Sequence, residues 1–163
     1  MFGIIIFLFL LFSIIAISAF LGVPFIPTHR QQAVRMIELA AIKPGTRVVD
    51  LGSGAGRLLW LAAARGAAAA GYELNPWLYW WTRWQIRRRG LAGRVQVYWR
   101  SLYRADLSQA EVVFAFLSRR FMAQLLPKLT RELPPGAKVV SYAFSLPGRQ
   151  PTHSEQGIFV YEF

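Results

Sequence analysis

The chain has 163 residues, of which 55% are hydrophobic, and it carries 19 basic residues, 8 acidic residues and no cysteine. This length suits one domain with a substantial core, and the lack of cysteine excludes disulfides and thiolate metal sites. The net charge of +11 suits contact with an acidic partner or with anionic lipid, but a GC-rich genome and solubility explain an arginine-rich chain equally well, so the charge identifies no partner.

The N-terminal run 2–21 is apolar and uncharged. In helical form, about 20 residues reach roughly 30 Å, the thickness of the hydrocarbon core of a bilayer. We therefore predict a transmembrane helix over residues 1–22. The alternative is a cleavable signal peptide, because small residues lie near its end, but no basic residue precedes the run. The basic residues from Arg30 onward predict a single-pass protein of the inner (cytoplasmic) membrane, with its domain on the cytoplasmic side.

Residues 23–28 read Val-Pro-Phe-Ile-Pro-Thr and predict an extended juxtamembrane passage, because a residue before proline avoids the α region. Thr28 and Gln31 have the spacing of a capping box. A helix is therefore predicted from about residue 29 to 41, and it begins the domain at 29–163. Its apolar periodicity predicts a buried side of Val34, Ile37, Ala40 and Ala41.

The stretch 47–57 reads Arg-Val-Val-Asp-Leu-Gly-Ser-Gly-Ala-Gly-Arg. A strand, a glycine-rich turn and a helix are predicted here, and Gly52, Gly54 and Gly56 allow φ > 0 and close backbone approach to a ligand. A dinucleotide fingerprint would need its third glycine at the position of Arg57. Asp50 ends the strand, where a carboxylate would repel a phosphate but attract a cationic ligand. S-adenosyl-L-methionine is such a ligand.

The next predicted strand, 68–74, contains Glu73, whose carboxylate suits the two hydroxyls of a ribose. Asn75 and Pro76 then begin a helix with a polar cap and proline in its first turn. Tryptophans on this helix recur at one face: Trp77, Trp80, Trp81 and Trp84. Such a stripe is more often core than exposed. The alternative is that Leu78, Tyr79, Thr82 and Ile86 meet the sheet while the tryptophans lie among lipid head groups.

Further strands are predicted at 95–101, 112–117, 139–144 and 157–163, with a short partner strand at 152–156. A helix at 57–65 is predicted to end at Gly66, and a helix at 121–133 to be interrupted or kinked by Pro127. Alternating strands and helices predict an α/β fold with a mostly parallel sheet and helices on both faces.

The combination of the apolar N-terminal run, the proline passage, the glycine turn and Glu73-Leu74-Asn75-Pro76-Trp77 resembles the class I, seven-strand methyltransferases. Within them the chain resembles the small membrane-anchored protein-lysine methyltransferases related to those that modify adenine nucleotide translocase and the c subunit of ATP synthase. The resemblance implies a Rossmann-like sheet and S-adenosyl-L-methionine as cofactor. It implies a cofactor site of Asp50, Gly52, Ser53, Gly54, Gly56, Glu73, Leu74, Ser101 and Leu102. An acid is usual in this family at the positions of Ala55 and Ser101.

Methyl transfer to a lysine needs no metal, and burial lowers the pKa of the amine that attacks. Candidates to line the acceptor slot are Pro27, Thr28, Phe116, Leu117 and Ser118. The resemblance implies a lysine of a membrane or membrane-proximal protein as the acceptor. A small molecule or lipid acceptor stays open, as does a catalytically silent cofactor-binding protein. No nucleic-acid recognition motif accompanies the basic charge, so a specific nucleic-acid partner is not expected.

Overall fold

The computed structural model of the protein describes residues 2–7, 9, 12–13 and 28–163. The described N-terminal residues are helical, and their large apolar side chains are exposed. Within the described residues, no helix is both long enough and apolar enough to cross a membrane. Most of the predicted transmembrane segment 1–22, and all of the proline passage except Thr28, lies outside the described residues. Both therefore stay predictions.

Residues 28–163 form seven strands, four helices and one 3₁₀ turn. The strands are β1 (Arg47–Leu51), β2 (Ala68–Glu73), β3 (Val95–Trp99), β4 (Val112–Ala115), β5 (Lys138–Tyr142), β6 (His153–Glu155) and β7 (Ile158–Glu162). The helices are α1 (Arg30–Ala40), α2 (Arg57–Ala64), α3 (Pro76–Arg88) and α4 (Arg119–Glu132), and the 3₁₀ turn is Leu102–Arg104.

The strands make one sheet in the order β3-β2-β1-β4-β5-β7-β6. Strands β1 to β5 are mutually parallel, whereas β7 runs antiparallel to both β5 and β6. The predicted mostly parallel sheet is therefore confirmed. The strand order reverses between β1 and β4, and ligands of such sheets bind at the carboxyl ends of the strands at this switch point.

Alternation along β1 divides the core between the two faces of the sheet. Val48 packs in a cluster with residues of α1, α2 and α3, while Val49 and Leu51 pack with residues of α4. Helices thus cover both faces, as predicted. By the same alternation Asp50 lies on the side of α1, α2 and α3.

Helix α1 differs in two details from its sequence-based prediction. His29 is its N-cap and makes no side-chain cap hydrogen bond, so the capping-box prediction for Thr28 and Gln31 is wrong. The buried side is Ala33, Met36, Ile37 and Ala40, whereas Val34 is half-buried and Ala41 is exposed. Ala41 leaves the helical path at φ 53°, where it caps the helix in the left-handed region.

Pro127 does not interrupt α4, which continues from Arg119 to Glu132. The proline ring removes one backbone donor that would otherwise bond the carbonyl of residue 123. Both Pro127 and Ala123 are exposed, so solvent can satisfy that carbonyl.

Helix α3 has two apolar faces and buries the one with the smaller side chains. Leu78, Thr82 and Ile86 are buried against the sheet, while the four tryptophans are 43–58% exposed. The more usual interpretation of the stripe as core is therefore wrong. The buried face carries smaller side chains, and these let the helix backbone lie close to the glycine turn.

Candidate functional site

The site is built at the carboxyl ends of β1 and β2, where Asp50 pairs in register with Gly71. Asp50 is only 4% exposed. Burial, and secondarily the negative charge of Glu73, raise the pKa of its carboxyl from 3.8 to about 7. Among the described residues, no ion pair involves either carboxylate.

The turn after β1 adopts the predicted backbone conformation. Gly52, Gly54 and Gly56 have φ of 85°, 53° and 82°, in the region that favours glycine. A Cβ on Gly56 would lie 2.5 Å from a ring carbon of Trp60. The glycine therefore meets both a conformational and a steric requirement.

The backbone N–H groups of this turn do not all face a ligand, and this corrects the sequence-based expectation. Gly52 and Ser53 both donate to the carbonyl of Tyr72, at 2.9 and 3.0 Å, and Gly56 donates to Ser53 at 2.8 Å. Gly54 donates to Glu73 Oε2 at 2.8 Å. The turn is thus held rigid by its own sheet, and it offers a ligand a close backbone surface.

Glu73 connects the turn to α3. Its Oε2 accepts the Gly54 N–H, and its Oε1 accepts the N–H of Asn75 at 2.7 Å. Burial raises the pKa of this carboxyl, while the backbone donors oppose the shift. Each oxygen has a second lone pair, so a fixed carboxylate can still accept the two hydroxyls of a ribose.

Thr82 is a residue of the site that sequence reasoning missed, because it was named only in the alternative in which its face of the helix meets the sheet. Its side chain is fully buried, and Oγ1 donates to the carbonyl of Gly54 at 3.0 Å. Gly54 is therefore held at its N–H by Glu73 and at its carbonyl by Thr82. A buried hydroxyl needs a hydrogen-bond partner, but the sequence alone does not show that Thr82 is buried.

These residues fit S-adenosyl-L-methionine. The buried carboxyl of Asp50 and the half-buried carboxylate of Glu73 have no cationic partner among the described residues, and both lie beside a turn that a Cβ would obstruct. A cofactor with an ammonium, a sulfonium and a ribose diol supplies positive charge and hydroxyl donors to such a pair. The Ser53 hydroxyl is also buried and has no hydrogen-bond partner among the described residues.

The other predicted cofactor residues lie at the same edge of the sheet. Leu74 follows β2 with an exposed side chain, and its carbonyl accepts Trp99 Nε1 at 3.0 Å. Ser101 follows β3, and its hydroxyl accepts the N–H of Tyr103 at 3.4 Å. Leu102 is buried in the 3₁₀ turn.

The predicted acceptor residues approach this edge from two elements. The Thr28 carbonyl accepts a hydrogen bond from Arg57, the first residue of α2. Leu117 is buried, and its Cδ2 is 3.4 Å from the position of a Cβ on Gly52. Ser118 is the N-cap of α4. Pro27 lies outside the described residues.

Phe116 is half-buried after β4 and meets the ring of Tyr142 edge-on, with centroids 4.9 Å apart. Tyr142 is the last residue of β5, and sequence reasoning missed it. The two rings place an aromatic wall at the carboxyl edge of the sheet, on the side of β1 away from Glu73. Aromatic faces attract a cation such as a forming ammonium.

Comparison with known proteins identifies the family. The model of the ANTKMT methyltransferase domain matches residues 50–153, from the acid of the glycine turn to β6. The chain belongs to this family. Two predictions are therefore confirmed: S-adenosyl-L-methionine as the cofactor and the seven-strand methyltransferase fold.

The chain is similar to proteins that are named for lysine methylation. Over 130 residues the chain is 38% identical to the human lysine N-methyltransferase of the ATP synthase c subunit, a match that covers 80% of this chain and 55% of that protein. Over 131 residues it is 35% identical to a protein-lysine N-methyltransferase of Saccharolobus islandicus, covering 79% and 81%. The chain spans little more than half of the human relative.

A solved structure supports the fold and the cofactor. A Salinibacter ruber protein described as an RNA methyltransferase, in complex with S-adenosyl-L-homocysteine, has a TM-score of 0.78 at 34% identity. The match covers 83% of this chain and 91% of that chain.

Proposed function

We propose that the chain transfers a methyl group from S-adenosyl-L-methionine to a lysine of a membrane or membrane-proximal protein. The observation that carries the proposal is the aromatic wall of Phe116 and Tyr142 at the same sheet edge as the glycine turn. The relatives named for lysine methylation support the same assignment.

The cofactor supplies a methyl group on a sulfonium, so the protein needs neither a metal nor a covalent nucleophile. Asp50, Glu73 and the glycine turn bind and orient the donor. The aromatic wall gives an entering lysine an apolar boundary, and the loss of water from the amine favours its neutral form by lowering its pKa. The same rings then stabilise the positive charge that moves to nitrogen. Holding donor and acceptor in line is the main contribution of such a site.

Membrane attachment is part of the proposal. Residues 1–22 would cross the inner membrane once, with the domain 29–163 on the cytoplasmic side and the passage 23–28 as the tether. The bond from Arg57 to the Thr28 carbonyl supports this arrangement, because the tether then leaves the domain beside the glycine turn. The short tether would keep the site at high effective concentration for lysines near the bilayer.

A direct test is label transfer from methyl-labelled S-adenosyl-L-methionine into fractions of cells that lack the protein. Membranes, RNA and extracted lipids are each incubated with the purified full chain. We expect label in a protease-sensitive membrane band. RNA is a second candidate acceptor, because the Salinibacter neighbour is described as an RNA methyltransferase. Nuclease-sensitive label would favour it, label in organic solvent would favour a lipid or small molecule, and no label would favour a silent binder.

The tether is tested by inserting a flexible twenty-residue Gly/Ser linker after Gly22. The insertion adds about 25 Å of root-mean-square reach and leaves the cofactor site unchanged. Methylation of the natural target should fall, and soluble lysine proteins should become substrates. Unchanged target choice and rate would show that the tether only locates the enzyme.

A further inference from the structure

Helix α3 presents an exposed aromatic surface that the cofactor site does not use. The tryptophan face consists of Trp77, Trp80, Trp81 and Trp84, each 43–58% exposed. Among residues 28–163, no side-chain hydrogen bond is made by the indole N–H of any of these four. Free indoles with an apolar ring and one polar group are typical of membrane interfaces, where the ring is buried and the N–H stays hydrated.

The charge around this face has one sign. Every charged residue between Glu73 and Asp106 is an arginine. The guanidinium of Arg83 lies 5.9 Å from the ring centroid of Trp80, and that of Arg88 lies 5.2 Å from that of Trp84. Indole and guanidinium groups are thus interleaved along α3. Such a surface is complementary to anionic head groups, and a second copy of this chain would be repelled by its like charge.

The ring arrangement favours lipid over single-stranded nucleic acid. Bases stack on open aromatic faces, but Arg83 and Arg88 already cover ring faces of Trp80 and Trp84. Trp81 and Trp84 also pack against each other, with centroids 5.2 Å apart at 39°. Insertion of indoles into a head-group layer needs no free ring face. The exposed apolar residues of the N-terminal segment, such as Phe2 and Phe7, are a second surface suited to lipid.

We propose that the tryptophan face docks onto an anionic bilayer, with its indoles in the head-group layer and the exposed Arg87 and Arg88 against lipid phosphates. This contact is a second one, separate from the predicted N-terminal anchor. Trp77 stands at the start of α3, next to Asn75, whose N–H is bonded to Glu73. Docking would therefore fix the cofactor edge of the sheet at the bilayer surface. The docking itself is independent of the proposed function. The inference that docking orients an active site at the bilayer rests on the proposed function.

The test uses the full chain reconstituted in vesicles of phosphatidylcholine, with or without phosphatidylglycerol, whose acyl chains are brominated to quench tryptophan. All 6 tryptophans lie within residues 60–99, so emission reports the domain and not the N-terminal segment. We expect a blue shift and quenching in the anionic vesicles, both reduced by high salt. No methyl transfer is measured, so failure here leaves the proposed function untouched.

Arg87→Gln/Arg88→Gln should lower the ratio of docked to undocked domain by about 25-fold, at about five-fold for each arginine lost. Arg119→Gln/Arg120→Gln removes the same charge from α4, on the opposite face of the sheet, and should leave quenching unchanged. Binding of S-adenosyl-L-homocysteine confirms that each variant is folded. Trp81→Gln/Trp84→Gln gives a second test, because it should abolish quenching of the remaining tryptophans of the face.

Three results would overturn the proposal. Emission that is the same in anionic vesicles as in detergent would exclude docking. Equal effects of the two arginine pairs would show only a general charge effect. Binding of a short single-stranded RNA that is lost in Arg87→Gln/Arg88→Gln, together with no quenching by vesicles, would assign the face to nucleic acid.

Discussion

Asp50→Asn should stabilise the protein without cofactor while weakening its binding of cofactor. The folded protein keeps the Asp50 proton up to about pH 7, whereas the unfolded chain releases it near 3.8. The unfolded state therefore binds fewer protons between these values, and stability falls as pH rises through them. The raised pKa of Asp50 therefore lowers the free energy of unfolding by about 2 kcal/mol at pH 5 and by about 4 kcal/mol at pH 8.

The asparagine variant has no such titration. Its free energy of unfolding relative to wild type should therefore rise by about 2–3 kcal/mol between pH 5 and pH 8. Denaturant unfolding of the full chain in mild detergent, followed by circular dichroism, measures this difference. The comparison between pH values cancels the pH-independent effect of exchanging a carboxyl for an amide.

Asp106→Asn is the matched control. The Ser108 backbone N–H and hydroxyl lower the pKa of this exposed carboxyl, so its titration is complete below pH 5 and its effect should be equal at both pH values.

Calorimetry at pH 8 should show binding of S-adenosyl-L-methionine weakened ten-fold or more in Asp50→Asn, since a lost charged hydrogen bond costs about 1.5–3 kcal/mol. If Asp50→Asn changed the free energy of unfolding equally at pH 5 and pH 8, the raised pKa of Asp50 would be refuted.

Three further variants test the turn. Gly56→Ala should lose about 1–3 kcal/mol more stability than Gly136→Ala by thermal unfolding, which is the usual cost of overpacking. The two glycines have φ of 82° and 83°, but of the two only Gly56 faces a side chain within 4 Å. Equal losses would show no steric role for Trp60. Thr82→Val leaves the Gly54 carbonyl without its donor and should weaken cofactor binding several-fold in calorimetry; Thr130→Val, which loses a bond to a carbonyl of its own helix, should not, and matching losses would contradict the account. Glu73→Ala should weaken cofactor binding ten-fold or more, and unchanged affinity would remove Glu73 from the site.

The glycine turn and Glu73 could be predicted because their chemistry depends on local order. Glycines at alternate positions between a strand and a helix restrict the backbone to few paths, and an acid at the end of the next strand lies beside them in any parallel sheet. The cofactor followed from the sign of the charge at Asp50. The element order was also predictable, since strands and helices alternate along the chain.

Tertiary packing decided what the sequence could not. The stripe of tryptophans shows that α3 has two faces but not which of them meets the sheet. In the structure the face with Thr82 packs on the sheet, where the Thr82 hydroxyl bonds the carbonyl of Gly54. The N–H groups of Gly52 and Gly54 were expected to face a ligand, but they bond to β2. Tyr142 was missed because its role depends on β4 and β5 being neighbours.

The central claim, methylation of lysine near a membrane, is tested most directly by mass spectrometry of membrane proteins. Cells lacking the protein are complemented with wild type, with Asp50→Asn, or with no gene, and methyl-lysine is quantified across membrane and soluble fractions. We expect one or more lysines near the bilayer to be methylated only with the wild type. A membrane proteome with the same methyl-lysine in all three strains, together with methylated RNA that depends on Asp50, would contradict the account.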